Sequence, residues 1–160
     1  MTFTGAHVIN ADPELQLQRP ELVELLEYWN RKRDTRPFPS RRDISPREMI
    51  EVLPWLHMYD VLGGGEEYLC RLGGTALSDL TGRTDSRDRS ISTLPDPVFV
   101  RLKQALDWVV RMRAPLRTYN PSTSIPGQEF QGSESFFAPL SNDGATIDVI
   151  IGATMLNNRK

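Results

Sequence analysis

Cysteine and histidine are almost missing: Cys70 is the only thiol, and His7 and His57 are the only imidazoles, in 160 residues. A single cysteine excludes an intrachain disulfide and a cysteine-rich metal site, and it fits a reducing compartment best. The two histidines lie far apart and neither has a second ligand at helical spacing, so no metal centre is expected. No apolar run approaches the ~18 residues of a membrane span, and residues 1–10 lack the charged start and apolar core of a secretory signal. A cytoplasmic location and no membrane partner are therefore expected. Neither charge sign dominates: the net charge of −2 argues against a dedicated nucleic-acid binder. Phosphate-binding and hydrolase signatures are missing too. Gly73-Gly74-Thr75 has neither the following Lys-Ser/Thr of a P-loop nor the third spaced glycine of a dinucleotide fold, so it reads as a structural turn. Gly132-Ser133-Glu134-Ser135 only superficially resembles a nucleophile elbow, and no residue is nominated as catalytic.

What is present is enough for one domain. A hydrophobic content of 39% over this length supports a single substantial core. Residues 1–19 show no period and read as a lead-in. Residues 20–54 read as N-terminal helices. Pro20 suits a first helical position, and Leu22, Leu25, Leu26 and Trp29 make one apolar stripe ending in Arg31-Lys32-Arg33. A second short helix is predicted with Ser45 as cap, Pro46 in its first turn, Glu48 completing a capping box, Met49, Ile50 and Leu53 as its apolar face and Pro54 as its stop. Strands follow over 56–62 and 68–72, joined by Gly63-Gly64-Gly65. The longest helix is expected over residues 97–112, with Val98, Leu102, Ala105, Leu106 and Val109 buried. Three further strands are expected over 116–120, 133–140 and 145–156, the last two joined at Ser141-Asn142-Asp143-Gly144.

The stretch from Glu67 to Gly82 carries the sharpest signal. A period-two run, Tyr68 to Leu72, breaks at Gly73-Gly74, and a short turn carrying Leu77 and Leu80 ends at Thr81-Gly82. With Pro37-x-Pro39, Asp43-Ile44-Ser45-Pro46, Leu53-Pro54-Trp55 and Pro139-Leu140-Ser141-x-Asp143-Gly144, it resembles the PAS domain superfamily, in particular short stand-alone bacterial PAS proteins, from about residue 22 to 155. The resemblance implies an α+β fold over residues 55–156. A five-stranded antiparallel sheet would have its concave face covered by the Leu77/Leu80 turn and the 97–112 helix.

Such a fold leaves a ligand pocket between sheet and helix. Strand phase and the central helix nominate Cys70, Leu72, Leu77, Leu80, Leu102, Leu106, Phe137 and Ile150 as its lining. A slip of one residue would exchange Phe137 for Phe136 and Ile150 for Val149 or Ile151. Haem-binding PAS domains typically take an axial histidine from the central helix, and residues 97–112 have none. Blue-light flavin relatives carry an Asn-Cys-Arg motif, whereas Cys70 follows Leu69 and precedes the small helix. Cys70 is expected to pack rather than react. His57, beside Trp55 in a strand, is expected to be a packed or hydrogen-bonded residue. No cofactor is named.

The implied function is a cytoplasmic sensory or regulatory PAS protein that binds a small ligand or a protein partner. Its output would pass through association, the simplest form being a homodimer through the 20–33 helix, whose stripe is widened by Val23 and Tyr28. Residues 31–47 carry seven basic residues against two acidic ones, +5, leaving −7 on the remainder. This run reads as a solvated helix end and loop, or as a dock for an acidic partner. Two alternatives stay open: a cone-shaped α+β enzyme or carrier acting on a small apolar molecule, and an interaction module with a filled core.

Overall fold

The computed structural model describes residues 9–76, 88–96, 98–120 and 132–156. Its spine is an antiparallel sheet of β1 (Asn10–Asp12), β2 (Leu56–Leu62), β3 (Glu67–Gly73), β4 (Leu116–Asn120), β5 (Ser133–Leu140) and β6 (Val149–Leu156), in the order β1-β4-β5-β6-β2-β3. Five of these strands were expected. The sixth, β1, comes out of the lead-in and pairs Ala11 with Thr118 on the outer edge of β4. Three residues are too few to show a period, which is why it could not be read from the sequence.

Two helices clasp this sheet from opposite sides, α1 (Pro20–Arg33) and α2 (Val98–Met112). Residues opposite one another across the ladder share a face, and side chains alternate faces along a strand. Glu134 lies in register with Tyr119 and Met155, and its carboxylate accepts the backbone N–H groups of Gln18 and Arg19, at 2.9 and 2.8 Å, just before α1. Tyr68 lies on the other face, in register with Val61, and its hydroxyl donates to Asp107 Oδ1 of α2. Each face therefore has its own helix.

The stripe of α1 is spent inside the molecule. Leu22, Leu25, Tyr28 and Trp29 are buried, and Leu26 and Val23 are half-buried. Each aliphatic side chain so covered stabilises by about 1.5–3 kcal/mol relative to exposure. The stripe is thus a cap on its own sheet, and the edge expected to be left over for a partner is not an apolar one.

The second helix takes a different form from the one expected. Pro46–Met49 and Leu53–Trp55 are single 3-10 turns, and Ser45 makes no side-chain cap. Two prolines eight residues apart leave too little chain to nucleate an α-helix. Glu48 instead accepts from the Tyr28 hydroxyl at 2.9 Å. The capping box forms five residues earlier, between Ser40 and Asp43. Backbone N–H donation from Ser40 outweighs burial there and, with Arg36, holds the Asp43 carboxyl below its ordinary value.

Gly74 settles the Gly-Gly break. Its N–H donates to Leu56 O, and a Cβ there would lie 2.2 Å from Pro54 O, so the pair serves close backbone packing. At the β5–β6 connection, Asp143 Oδ1 accepts from Ala145 N, Thr146 N and Ser141 Oγ, which holds its carboxyl down to about 2. This knot occupies residues expected to begin the last strand, so β6 starts at Val149.

Candidate functional site

The α2 face of the sheet is where polar groups enter the core. Leu116, Phe137, Gly152, His57 and Gly73 form one row across five strands. Two residues along lies a row of Ala11, Thr118, Ser135 and Thr154. His57, Thr118, Ser133 and Ser135 are all buried. His57 Nε2 sits 3.0 Å from Thr154 Oγ1, which sits 2.8 Å from Ser135 Oγ. The imidazole rests over Gly152, where a Cβ would lie 2.7 Å from its Cε1 and 2.3 Å from Phe136 O. Tyr59 and Phe137 flank the ring, each with its centroid 5.3 Å away. Burial disfavours the imidazolium and pushes the His57 pKa down to about 3, so the ring is neutral at physiological pH.

This trio is no catalytic triad. Nucleophilic catalysis requires a histidine oriented by a third group, and among the described residues no side chain bonds His57 Nδ1. His57 is a packed, hydrogen-bonded strand residue.

Helix α2 supplies the opposite wall. Ala105, Leu106 and Val109 are buried, and the Tyr68 hydroxyl bonds to Asp107, which also pairs with Lys103 one turn back, tying the helix to β3. Burial and the Asp107 carboxylate together raise the Tyr68 pKa well above its ordinary range. Along one side of α2, three buried polar atoms have no partner among the described residues: Arg101 Nε, Gln104 Oε1 and Trp108 Nε1. Their spacing of three and four residues puts them on a single stripe. Trp108 is only 3% exposed, so water does not replace the missing acceptor freely. An unpaired buried donor or acceptor costs about 1–3 kcal/mol.

Of the lining residues nominated from the sequence, Phe137, Ile150 and Leu106 are buried on this side, and Leu102 is half-buried on α2. Cys70 is half-buried in register with Tyr59, whose other neighbour is Ile150. Leu72 is a correction. A register shift between Met58 and Tyr59 places Leu72 opposite Met58, in the row of Ile151, on the α1 face. Leu77 and Leu80 lie outside the described residues. The sequence reading missed Ser135, Thr154, Arg101, Gln104 and Trp108. The available signal was phase: Ser135 falls in step with Phe137, and Trp108 lies one residue before Val109 in the expected stripe. Among the described residues no group of three His, Cys, Asp or Glu could hold a metal ion.

A family model described as the PAS domain matches residues 17–155. The chain belongs to the PAS domain family. Domains of this family are generally sensory. No curated protein matches the chain significantly. A similar solved structure is an RNA-binding light-oxygen-voltage receptor, with a TM-score of 0.51 and 13% sequence identity. The match covers 92% of this PAS chain but 38% of that receptor, and at this identity the likeness is one of fold. No helix among the described residues is long and apolar enough to cross a membrane.

Proposed function

We propose that this PAS domain senses a small polar ligand held between the sheet and α2, and that its output leaves through association on the α1 side. The observation that carries the reading is the unpaired stripe of Arg101, Gln104 and Trp108. A guanidinium and an indole donate, and the Gln104 carbonyl oxygen accepts. The matching ligand carries acid or carbonyl oxygens together with a hydroxyl or N–H group, as a small hydroxy acid or amide does. Such a ligand asks for a more polar lining than the apolar one expected from strand phase.

The route of the signal is physical contact. The sheet that backs the ligand also carries Glu134, which holds the start of α1, and Pro139 O, which accepts from Trp29 Nε1 at 2.9 Å. A ligand that prefers one packing of this sheet shifts the population of α1 arrangements. RNA binding by the similar receptor is not carried over. Three of the seven cations of residues 31–47 are engaged by side chains within the fold, Arg36 with Asp43, Lys32 with Glu48 and Arg33 with Asn30.

Native mass spectrometry of gently purified protein tests the reading. The expected result is a mass above that of the polypeptide, with affinity reduced about five- to 150-fold in Trp108→Phe, because one lost hydrogen bond to a buried group is worth about 1–3 kcal/mol. A bare polypeptide that also binds nothing from a small-acid library would overturn it.

A further inference from the structure

The sheet under α2 holds a chain of hydrogen bonds that stops at one serine. Helix α2 packs on β4 and β5, the strands that carry Thr118 and Ser135. Ser135 is buried, and among the described residues its hydroxyl meets only Thr154 Oγ1, at 2.8 Å. Thr154 Oγ1 in turn lies 3.0 Å from His57 Nε2. No side chain among these residues bonds His57 Nδ1, so pairing within the protein fixes neither end of the chain.

The neutral imidazole can run this chain in either direction. With the proton on Nε2, His57 donates to Thr154, Thr154 donates to Ser135, and the Ser135 hydrogen is left to donate outward. With the proton on Nδ1, Thr154 donates to His57, Ser135 donates to Thr154, and Ser135 has only lone pairs to offer. An oxygen acceptor beside Ser135 selects the first tautomer, because only that one supplies the hydrogen. Arg101 Nε, Trp108 Nε1 and Ser135 Oγ then converge as three donors. A carboxylate accepts at about four lone-pair positions and an amide carbonyl at only half as many, so the carboxylate is the group that can serve all three. Charge points the same way. Arg101 enters no ion pair among the described residues, and a guanidinium with a buried, unpaired Nε favours an anion over a neutral ligand.

We infer that the ligand of this site is a carboxylate, a small hydroxy acid rather than its amide, that Ser135 donates to it from the sheet, and that Thr154 and His57 are the positioning residues that set the direction of that bond. The inference rests on the reading that a polar ligand lies between the sheet and α2, and it chooses between the two ligand classes that reading admits. The hydroxyl of the acid is left for Gln104 Oε1.

Matched titrations of the full chain with glycolate and glycolamide, and with lactate and lactamide, decide it, read at the Trp108 indole N–H and at the His57 ring nitrogens in long-range ¹H–¹⁵N spectra. Each acid is expected to bind at least about tenfold tighter than its amide, the weight of a charge-assisted hydrogen bond. Arg101→Gln is expected to bring acid and amide within about threefold of one another, and Ser135→Ala to weaken the acid by about fivefold or more. In the free protein the His57 nitrogens are expected at positions averaged over the two tautomers, and the acid is expected to move them to the Nε2–H form, a change that a purely structural histidine would not show. Should Ser135→Ala fail to fold, the tautomer shift of the wild type decides the matter alone. An amide that binds as tightly as its acid overturns the inference and leaves the ligand reading intact, and so does an acid that moves Trp108 while the His57 tautomer stays unchanged. A Trp108 signal that none of the four compounds moves overturns the inference together with the reading on which it rests.

Discussion

The two faces of the sheet differ in how completely their polar groups are paired, and the two buried tryptophans show it best. Trp29, under α1, donates its indole N–H to Pro139 O at 2.9 Å. Trp108, on α2, is as deeply buried and its indole N–H finds no acceptor among the described residues. The neighbours repeat the contrast. On the α1 face Glu134 accepts from Gln18 N, Arg19 N and Arg117 Nε, and Tyr28 is bonded to Glu48 and Ser45. On the α2 side His57 Nδ1, Gln104 Oε1 and Arg101 Nε stand beside Trp108 as unpaired atoms. The remaining unpaired atom among the described residues, Arg41 Nε, belongs to a guanidinium whose Nη1 already bonds Ile44 O. One face is finished as structure, and the other keeps hydrogen-bonding capacity in reserve.

Breaking the finished face is expected to cost most. Glu134→Ala removes a carboxylate that is 3% exposed, strands two backbone N–H groups and leaves Arg117 with Asp12 as its remaining ion-pair partner. A loss of about 3 kcal/mol in urea unfolding is expected, with fraying of α1 in hydrogen exchange. Gly152→Ala is expected to cost about 2 kcal/mol or more, because the new methyl meets Phe136 O and the His57 ring. Its damage should be confined to the α2 face, with shifted resonances at Thr154 and Ser135.

A pH test separates the faces through the one buried imidazole. His57 has its folded pKa depressed to about 3 from an ordinary 6.5, so below pH 6.5 the unfolded chain binds a proton that the folded chain refuses. Stability is therefore full above that pH and falls as the solution is acidified. Between pH 7 and pH 5 the loss attributable to His57 is about 2 kcal/mol. In His57→Gln that part of the slope should vanish. A slope unchanged by the substitution would mean that the ring is not buried as a neutral group.

The comparison also explains what could be read in advance. Periods strong enough to survive tertiary context were legible: α1 over residues 20–33, β2 over 56–62, β4 over 116–120 and β5 over 133–140 coincide with the expected ranges. Leu72 was placed on the wrong face because a bulge leaves no mark in the alternation of Tyr68, Cys70 and Leu72. Ser45 and Glu48 satisfied every local rule for a capping box, yet Tyr28, twenty residues from Glu48, claimed its carboxylate. The unpaired stripe was invisible for a related reason. Whether Trp108 finds an acceptor depends on which strand lies opposite, and no spacing along α2 records that.

The smallest stability effect bears most closely on function. Trp29→Phe leaves Pro139 O without its donor and is expected to cost about 1 kcal/mol more than Trp108→Phe, which strands nothing. The direct test is the indole region of a ¹H–¹⁵N spectrum, with Trp29, Trp55 and Trp108 assigned from their Phe variants. When a small hydroxy acid or amide from the library is added to the protein, the Trp108 indole N–H is expected to move to the downfield position of a hydrogen-bonded donor and to gain exchange protection, while Trp29 stays still. A Trp108 signal that is unmoved by the ligand, or that shifts no more than that of Trp29, would contradict a ligand site on the α2 face.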